Sequence, residues 1–197
     1  TAARPRVATQ ADGTSLVVWE ERPGLLSRAV FQLVGADASL INPDRSVDET
    51  DPFVREQGDP TVAALANGGW ILAWDDRIDS DWNVRYRVYD AKGAPAGDVH
   101  RANSDVTLNA EQYEPALVVR SSDILIAWRD DRARTADVWG RWLDSEGTPE
   151  STPDFLLREA GDPPADLDPR LASGPGDTFA LCWFGGAGGT QRAVFRL

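Results

Sequence analysis

Four short apolar runs punctuate the chain, and each ends in tryptophan: LVVW, ILAW, LIAW and ALCW, with Trp19, Trp74, Trp128 and Trp183 spaced 55, 54 and 55 residues apart. Neighbouring positions within each run are all apolar instead of alternating with polar ones. That predicts strands covered on both faces. Each run follows a turn carrying Gly or Asp (Asp12-Gly13, Gly68-Gly69, Ser122-Asp123, Gly176-Asp177), and before each turn lies a second short apolar stretch opened by a proline. These prolines, Pro5, Pro60, Pro115 and Pro169, are 55, 55 and 54 apart. After them come Val7, Val62, Leu117 or Leu171 and then Ala8, Ala63, Val118 or Ala172, a first strand with one large and one small buried position.

A third strand is predicted over residues 83–90 and 137–144, where apolar and polar residues alternate with aromatic content suited to a half-buried strand. Fourth strands are expected near 39–41, 99–102 and 155–158. No stretch keeps apolar residues at helical spacing over three turns, and Gly and Pro interrupt at short intervals. The prediction is therefore an all-β repeat protein, a single domain with units at 1–56, 57–111, 112–165 and 166–197. Four short strands per unit is the blade pattern of a β-propeller. The last unit stops where its third strand would end, so the expectation is a four-bladed propeller with a truncated last blade or a fragment of a larger one.

Charge narrows the partners. Twenty basic residues against 32 acidic ones give a formal charge of -12, which repels phosphate backbones and anionic lipid, so nucleic acid is not expected. No apolar run reaches the length needed to cross a bilayer as a helix, so membrane insertion is not expected. The chain begins at Thr1 and contains no Met, which reads as a processed or excised product, and Lys92 as the only lysine reads as codon bias of a GC-rich genome. One cysteine, Cys182, excludes an internal disulfide framework and stands at a small buried position where the other repeats have Val18, Ala73 and Ala127.

The unit resembles repeats of secreted and surface β-propeller proteins of bacteria, which run roughly Pro-x-Val-Ala, Gly-Gly-apolar-Trp, an acidic residue and Arg, then Asp-Ile-Tyr-x-Gln-Arg and Asp-x-x-Gly. Segments 59–77 and 114–132, the latter continuing into 137–147, carry the likeness, which extends over nearly the whole chain. Repeat four departs, with Phe184-Gly185-Gly186 where the acidic residues and arginine would stand. The resemblance implies an extracellular or cell-surface location and an architecture more than a chemistry.

Candidate sites follow from what recurs and what does not. Glu21-Arg22, Asp76-Arg77 and Asp131-Arg132 are each 55 from the next. A ring of such pairs could hold a glycan through the arginine fork, or could close blade corners as scaffold, and recurrence in every complete unit favours scaffold. Trp82 and Trp139 stand apart from the strand-end tryptophans Trp19, Trp74, Trp128 and Trp183 and are the candidates for stacking on a sugar. Asp79, Asp81 and Asn83 alternate like calcium ligands, with Asp90 at the twelfth position, but Val84 occupies the place where a calcium loop needs glycine. A solvated acidic turn is the competing reading, and otherwise no cofactor is expected.

His100 is the sole histidine, without a nucleophile motif around it, so histidine-based catalysis is not expected. The leading expectation is a non-catalytic module, with no catalytic residues, presenting a rigid β surface to a protein or glycan. Two alternatives are a lectin built on Arg77 and Arg132, and a glycoside-active enzyme with one non-repeated carboxylate pair in a central cleft. Self-association through the unpaired edge of the last blade is a further expectation.

Overall fold

A computed structural model describes residues 1–48, 56–78, 81–104, 110–132, 136–157, 165–187 and 190–196. It is an all-β propeller of four antiparallel sheets. The first sheet holds β1 (Ala2–Thr9), β2 (Ser15–Glu21), β3 (Arg28–Val34) and β4 (Arg45–Ser46) in that order. The second holds β5 (Glu56–Ala64), β6 (Trp70–Ile78), β7 (Asp81–Tyr89) and β8 (His100–Arg101). The third holds β9 (Gln112–Val119), β10 (Asp123–Asp130), β11 (Asp137–Asp144) and β12 (Phe155–Leu156). The fourth is three-stranded, with β13 (Ala165–Ser173), β14 (Phe179–Ala187) and β15 (Thr190–Arg196).

Two of the unbroken apolar runs have the environment expected of them. β6 and β10 are buried on both faces, so their successive side chains enter different cores, whereas on β2 and β14 buried positions alternate with partly exposed ones. Leu16, Val18, Phe31 and Leu33 of the first blade pack on Trp70, Leu72 and Trp74 of the second. Ile71, Ala73, Val84 and Tyr86 on the opposite face of the second blade pack on Leu117, Ile124, Ile126 and Trp128 of the third. Ala127 and Val138 in turn meet Leu181 and Trp183 of the fourth. Trp74, Trp128 and Trp183 thus face the preceding blade. Trp74, Trp128 and Trp183 are buried, whereas Trp19, with no blade before it among the described residues, is half-buried.

The recurring prolines have a common backbone cause. In every sheet the register of the first strand slips by one residue opposite the tryptophan: between Ala3 and Arg6, Gly58 and Thr61, Tyr113 and Ala116, and Leu167 and Arg170. The two residues left facing each indole are Arg4-Pro5, Asp59-Pro60, Glu114-Pro115 and Asp168-Pro169. This is a β-bulge, one of the few places where a strand tolerates a residue with no N–H to donate. The residue before each proline takes a left-handed conformation, with φ of 53° at Arg4, 42° at Asp59, 58° at Glu114 and 59° at Asp168. For side chains larger than glycine that conformation costs on the order of 1 kcal/mol each. Four equivalent departures of this kind mark a position whose aim matters more than local ease, because a bulge redirects a side chain. The strands that carry them, β1, β5, β9 and β13, run beside one another in sequence, so the four bulges gather at one end of the common axis.

Candidate active site

At that end the bulges and the residues just after the tryptophans open onto a cavity of about 280 Å³. Arg4, Asp59 and Glu114 come from bulges, and Glu20, Asp75 and Arg129 from the position following Trp19, Trp74 and Trp128. Arg22, Trp82 and Tyr113 also form part of its wall. The fourth blade places Asp168 at the equivalent bulge, where its backbone N–H donates to Glu114 Oε2 at 2.6 Å.

Charge inside this space is dense and unevenly neutralised. Arg4 Nη1 lies 2.7 Å from Asp59 Oδ2 and 3.2 Å from Glu20 Oε2. Arg22 Nη2 approaches Glu20 Oε1 at 3.4 Å. Asp75 is 3% exposed, and among the described residues its Oδ1 has no hydrogen-bond partner. That oxygen can sit where it does because residue 58 is glycine: a Cβ there would come within 2.6 Å of it, and within 3.7 Å of Glu20 Oε2.

Burial governs how these acids titrate. Loss of solvent pushes the Asp59 carboxyl from 3.8 up to about 6; Arg4 pulls it down, and the negative charges of Glu114, Glu20 and Asp168 push it up. Burial drives Asp75 well above the ordinary carboxylate range, with the Asp59 charge adding to the rise and the Glu114 backbone N–H opposing it. Several acids share one cavity, and one of them titrates near neutrality. Such a cavity can deliver a proton to one oxygen while a second carboxylate acts elsewhere on the same substrate.

The residues anticipated from the sequence divide between this cavity and the scaffold. Arg22 and Trp82 line it, and Arg77 stands beside it, 6.0 Å from the Trp82 ring and 3.4 Å from Glu56. Asp76 is fully buried against Arg85, with Nε to Oδ2 at 3.1 Å. Asp131 accepts the Glu111 backbone N–H at 2.6 Å. Arg132 binds Asp130 and reaches Asp154 at 2.6 Å while lying 4.0 Å over the Trp139 ring, a clamp that Ser104 of the second blade joins through Asp154. The apparent equivalence of Asp76-Arg77 with Asp131-Arg132 is a one-residue slip. Asp76 follows its tryptophan by two positions and pairs with Asn83, and the residue in that place on β10 is Asp130, which pairs with Asp137.

Of the proposed calcium ligands, Asp79 lies outside the described residues. Asn83 turns its side chain into the protein, where its Oδ1 accepts from Asn103 Nδ2 at 3.1 Å and its Nδ2 donates to the Asp81 carbonyl at 3.2 Å. Among the described residues no three His, Cys, Asp or Glu side chains converge as metal ligands.

Sequence reasoning missed Asp59, Asp75, Glu20 and Glu114. A signal for three of the bulge positions was present: the residue before the repeat proline is Arg in the first unit and acidic in the other three, Asp59, Glu114 and Asp168. No comparable signal marks Asp75, whose meaning depends on the bulge opposite.

No protein-family model matches the chain, and no curated protein matches it. Its fold is found in solved structures of low sequence identity. The α-L-arabinofuranosidase PaAbf62A from Podospora anserina, solved with cellotriose, superposes with a TM-score of 0.63 at 15% identity over 99% of this chain and 63% of its own. The GH93 α-L-arabinofuranosidase of Fusarium graminearum, solved with arabinobiose, gives 0.65 at 14% identity over 99% and 62%. The arabinanase Arb43A of Bacillus subtilis gives 0.56 at 12% over 99% and 72%. The chain therefore spans about 63% of the length of the first of these.

The expectation of a non-catalytic module, with no enzyme activity, is corrected by two findings. The three solved structures named above are two α-L-arabinofuranosidases and an arabinanase, and the axis gathers acids that the repeat pattern hid. The physical reason is the bulge. It turns one residue of each first strand toward the axis and so assembles a site from positions that sequence spacing presents as scaffold. The acids at the axis stand at repeat positions, Asp59 and Glu114 each before its unit's proline, and are not the single non-repeated pair of the enzyme alternative.

Proposed function

We propose that this chain forms the catalytic face of a glycoside hydrolase acting on arabinofuranosyl linkages. The observation that carries the reading is the axial cavity, in which bulges from successive blades aim Asp59 and Glu114 at one space beside the buried Asp75.

Glycoside hydrolysis asks for two carboxyl groups in different protonation states: one protonates the departing glycosidic oxygen, and the other activates water or attacks the anomeric carbon. Asp59, titrating near 6, keeps its proton at mildly acidic pH and serves as the acid. Glu114, fixed by the Asp168 amide, serves as the second carboxylate. Arg4 holds Asp59 and Glu20 in place from a single guanidinium. Trp82 offers an aromatic wall against which a neighbouring sugar of the chain can lie. The arabinofuranosyl specificity is supported by the architecture shared with two arabinofuranosidases and an arabinanase. Because polymeric arabinose-containing glycans are met outside the cell, the reading carries with it an extracellular or cell-surface location.

Incubating the protein with arabinan and arabinoxylan and analysing the products by chromatography tests the reading. Release of arabinose or arabino-oligosaccharides is expected, and inertness toward both polymers contradicts it.

A further inference from the structure

We propose that Arg129 selects a sugar bearing a carboxylate, so that the glycan acted on by the hydrolase proposed above is an acidic one. The inference rests on that reading for the word hydrolase but not for the binding itself.

The position after the strand-end tryptophan carries Glu20 in the first blade and Asp75 in the second, and in the third the charge is reversed to Arg129. All three side chains line the same cavity. The other two cavity arginines have carboxylate partners: Arg4 in Asp59 and Glu20, Arg22 in Glu20. Arg129 forms no ion pair among the described residues, and its Nε is buried without an acceptor. Arg129 is half-buried, and a guanidinium there whose Nε has no acceptor is better satisfied when a ligand supplies an anion to its remaining N–H groups.

Its orientation is prepared in advance. The Arg129 guanidinium stacks on the Tyr113 ring at 5.0 Å, and the Tyr113 hydroxyl is itself held by donating to Glu111 Oε2 at 2.7 Å. Stacking fixes the plane of the fork, which leaves its edge as the recognition surface. The planar partner that satisfies such an edge through two parallel hydrogen bonds is a carboxylate. The acids across the cavity do not forbid an anion. Arg4 and Arg22 offset Glu20, burial favours the neutral forms of Asp59 and Asp75, and Glu114 is engaged by the Asp168 amide.

Binding to an Asp59→Asn variant, which blocks turnover, isolates recognition from catalysis. Calorimetry would compare glucuronate-substituted xylotriose with xylotriose, and galacturonotriose with galactotriose. At least one acidic member should bind about tenfold or more tighter than its neutral counterpart, as expected of a charge-assisted bidentate pair. The preference should vanish in Asp59→Asn/Arg129→Gln and persist in reduced form in Asp59→Asn/Arg129→Lys, which keeps the charge but loses the fork. Should Arg129→Gln fail to fold, the methyl ester of each acid gives the same readout without it, binding no better than the neutral sugar. Equal affinity for acid and neutral sugar, binding of neither, or a preference that survives Arg129→Gln overturns the proposal. Acid-selective binding by a protein that hydrolyses no glycan would fault the hydrolase reading and support the role of Arg129, whereas hydrolysis with no acid preference would do the reverse.

Discussion

Arg4 Nη1 and Asp59 Oδ2 stand 2.7 Å apart although they occupy the same position of adjacent repeats, each the residue before its unit's proline. The cavity is therefore built by one structural position carrying opposite charges in neighbouring blades. Arg4 is the closest positive charge acting on Asp59 and works against the burial that raises its pKa. Replacing Arg4 with Gln should move the pKa of Asp59 further above 6, by about one unit or more. A pH–rate profile would show the limb assigned to the proton donor displaced to higher pH, and a profile identical to wild type would separate Arg4 from the control of Asp59.

The same shift has a consequence for stability. Because the native carboxyl of Asp59 titrates at about 6 and the ordinary value is 3.8, the folded protein binds the proton more tightly than the unfolded chain. This group's contribution is therefore most favourable below about pH 4 and is lost as pH rises through about 6. Asp59→Asn, which removes the ionisation, should raise the melting temperature at about pH 8 and leave it little changed at about pH 4. A stability difference independent of pH would contradict the burial argument.

Gly58 is required by the space that Asp75 occupies. A methyl group added there would lie 2.6 Å from Asp75 Oδ1, too close to coexist with the present rotamer. Gly58→Ala should expel the Asp75 carboxyl from its seat, costing about 1–3 kcal/mol of stability by overpacking and reducing turnover with it. Denaturant titration and steady-state rates measure the two effects.

The strand-end tryptophans share a repeat position but not a hydrogen bond. Trp128 donates Nε1–H to Asp130 Oδ2 at 3.0 Å, whereas the Trp74 Nε1–H is buried without an acceptor among the described residues. Asp130 is fully buried, and the change removes one of the two side-chain donors on its Oδ2, the other being Arg132 Nη2. Trp128→Phe should cost about 1–3 kcal/mol more than Trp74→Phe, read as a difference in urea midpoints at matched slopes.

The blade pattern was legible because it is written in properties that a strand imposes locally. Runs such as Ile71 to Trp74, apolar at every position, signal two covered faces, and the glycine turns mark where strands reverse. The site was not legible for a geometrical reason. Spacing between repeats aligned Asp131-Arg132 with Asp76-Arg77, yet the extra residue after Trp128 shifts that pair along the strand, and Arg132 closes on Asp130 and Asp154 instead of facing a ligand. Nothing in the repeat spacing marks Asp75, and only the pairing of β5 with β6, through Gly58 opposite Asp75, shows that it points into the cavity. Asp59 was hidden by its proline, which reads as a strand start but marks the bulge that turns the preceding side chain to the axis.

The central claim, that the axial acids hydrolyse a glycosidic bond with Asp59 as proton donor, is tested most directly by the turnover of 4-nitrophenyl α-L-arabinofuranoside and of arabinan by wild type and by Asp59→Asn. The account predicts turnover by the wild type and a loss on arabinan of about 10²–10⁴-fold in the variant, the range a general acid supplies. The loss should be smaller on the aryl substrate, whose leaving group needs less protonation. A wild type inert on both substrates, or a variant as active on arabinan as the wild type, would contradict it.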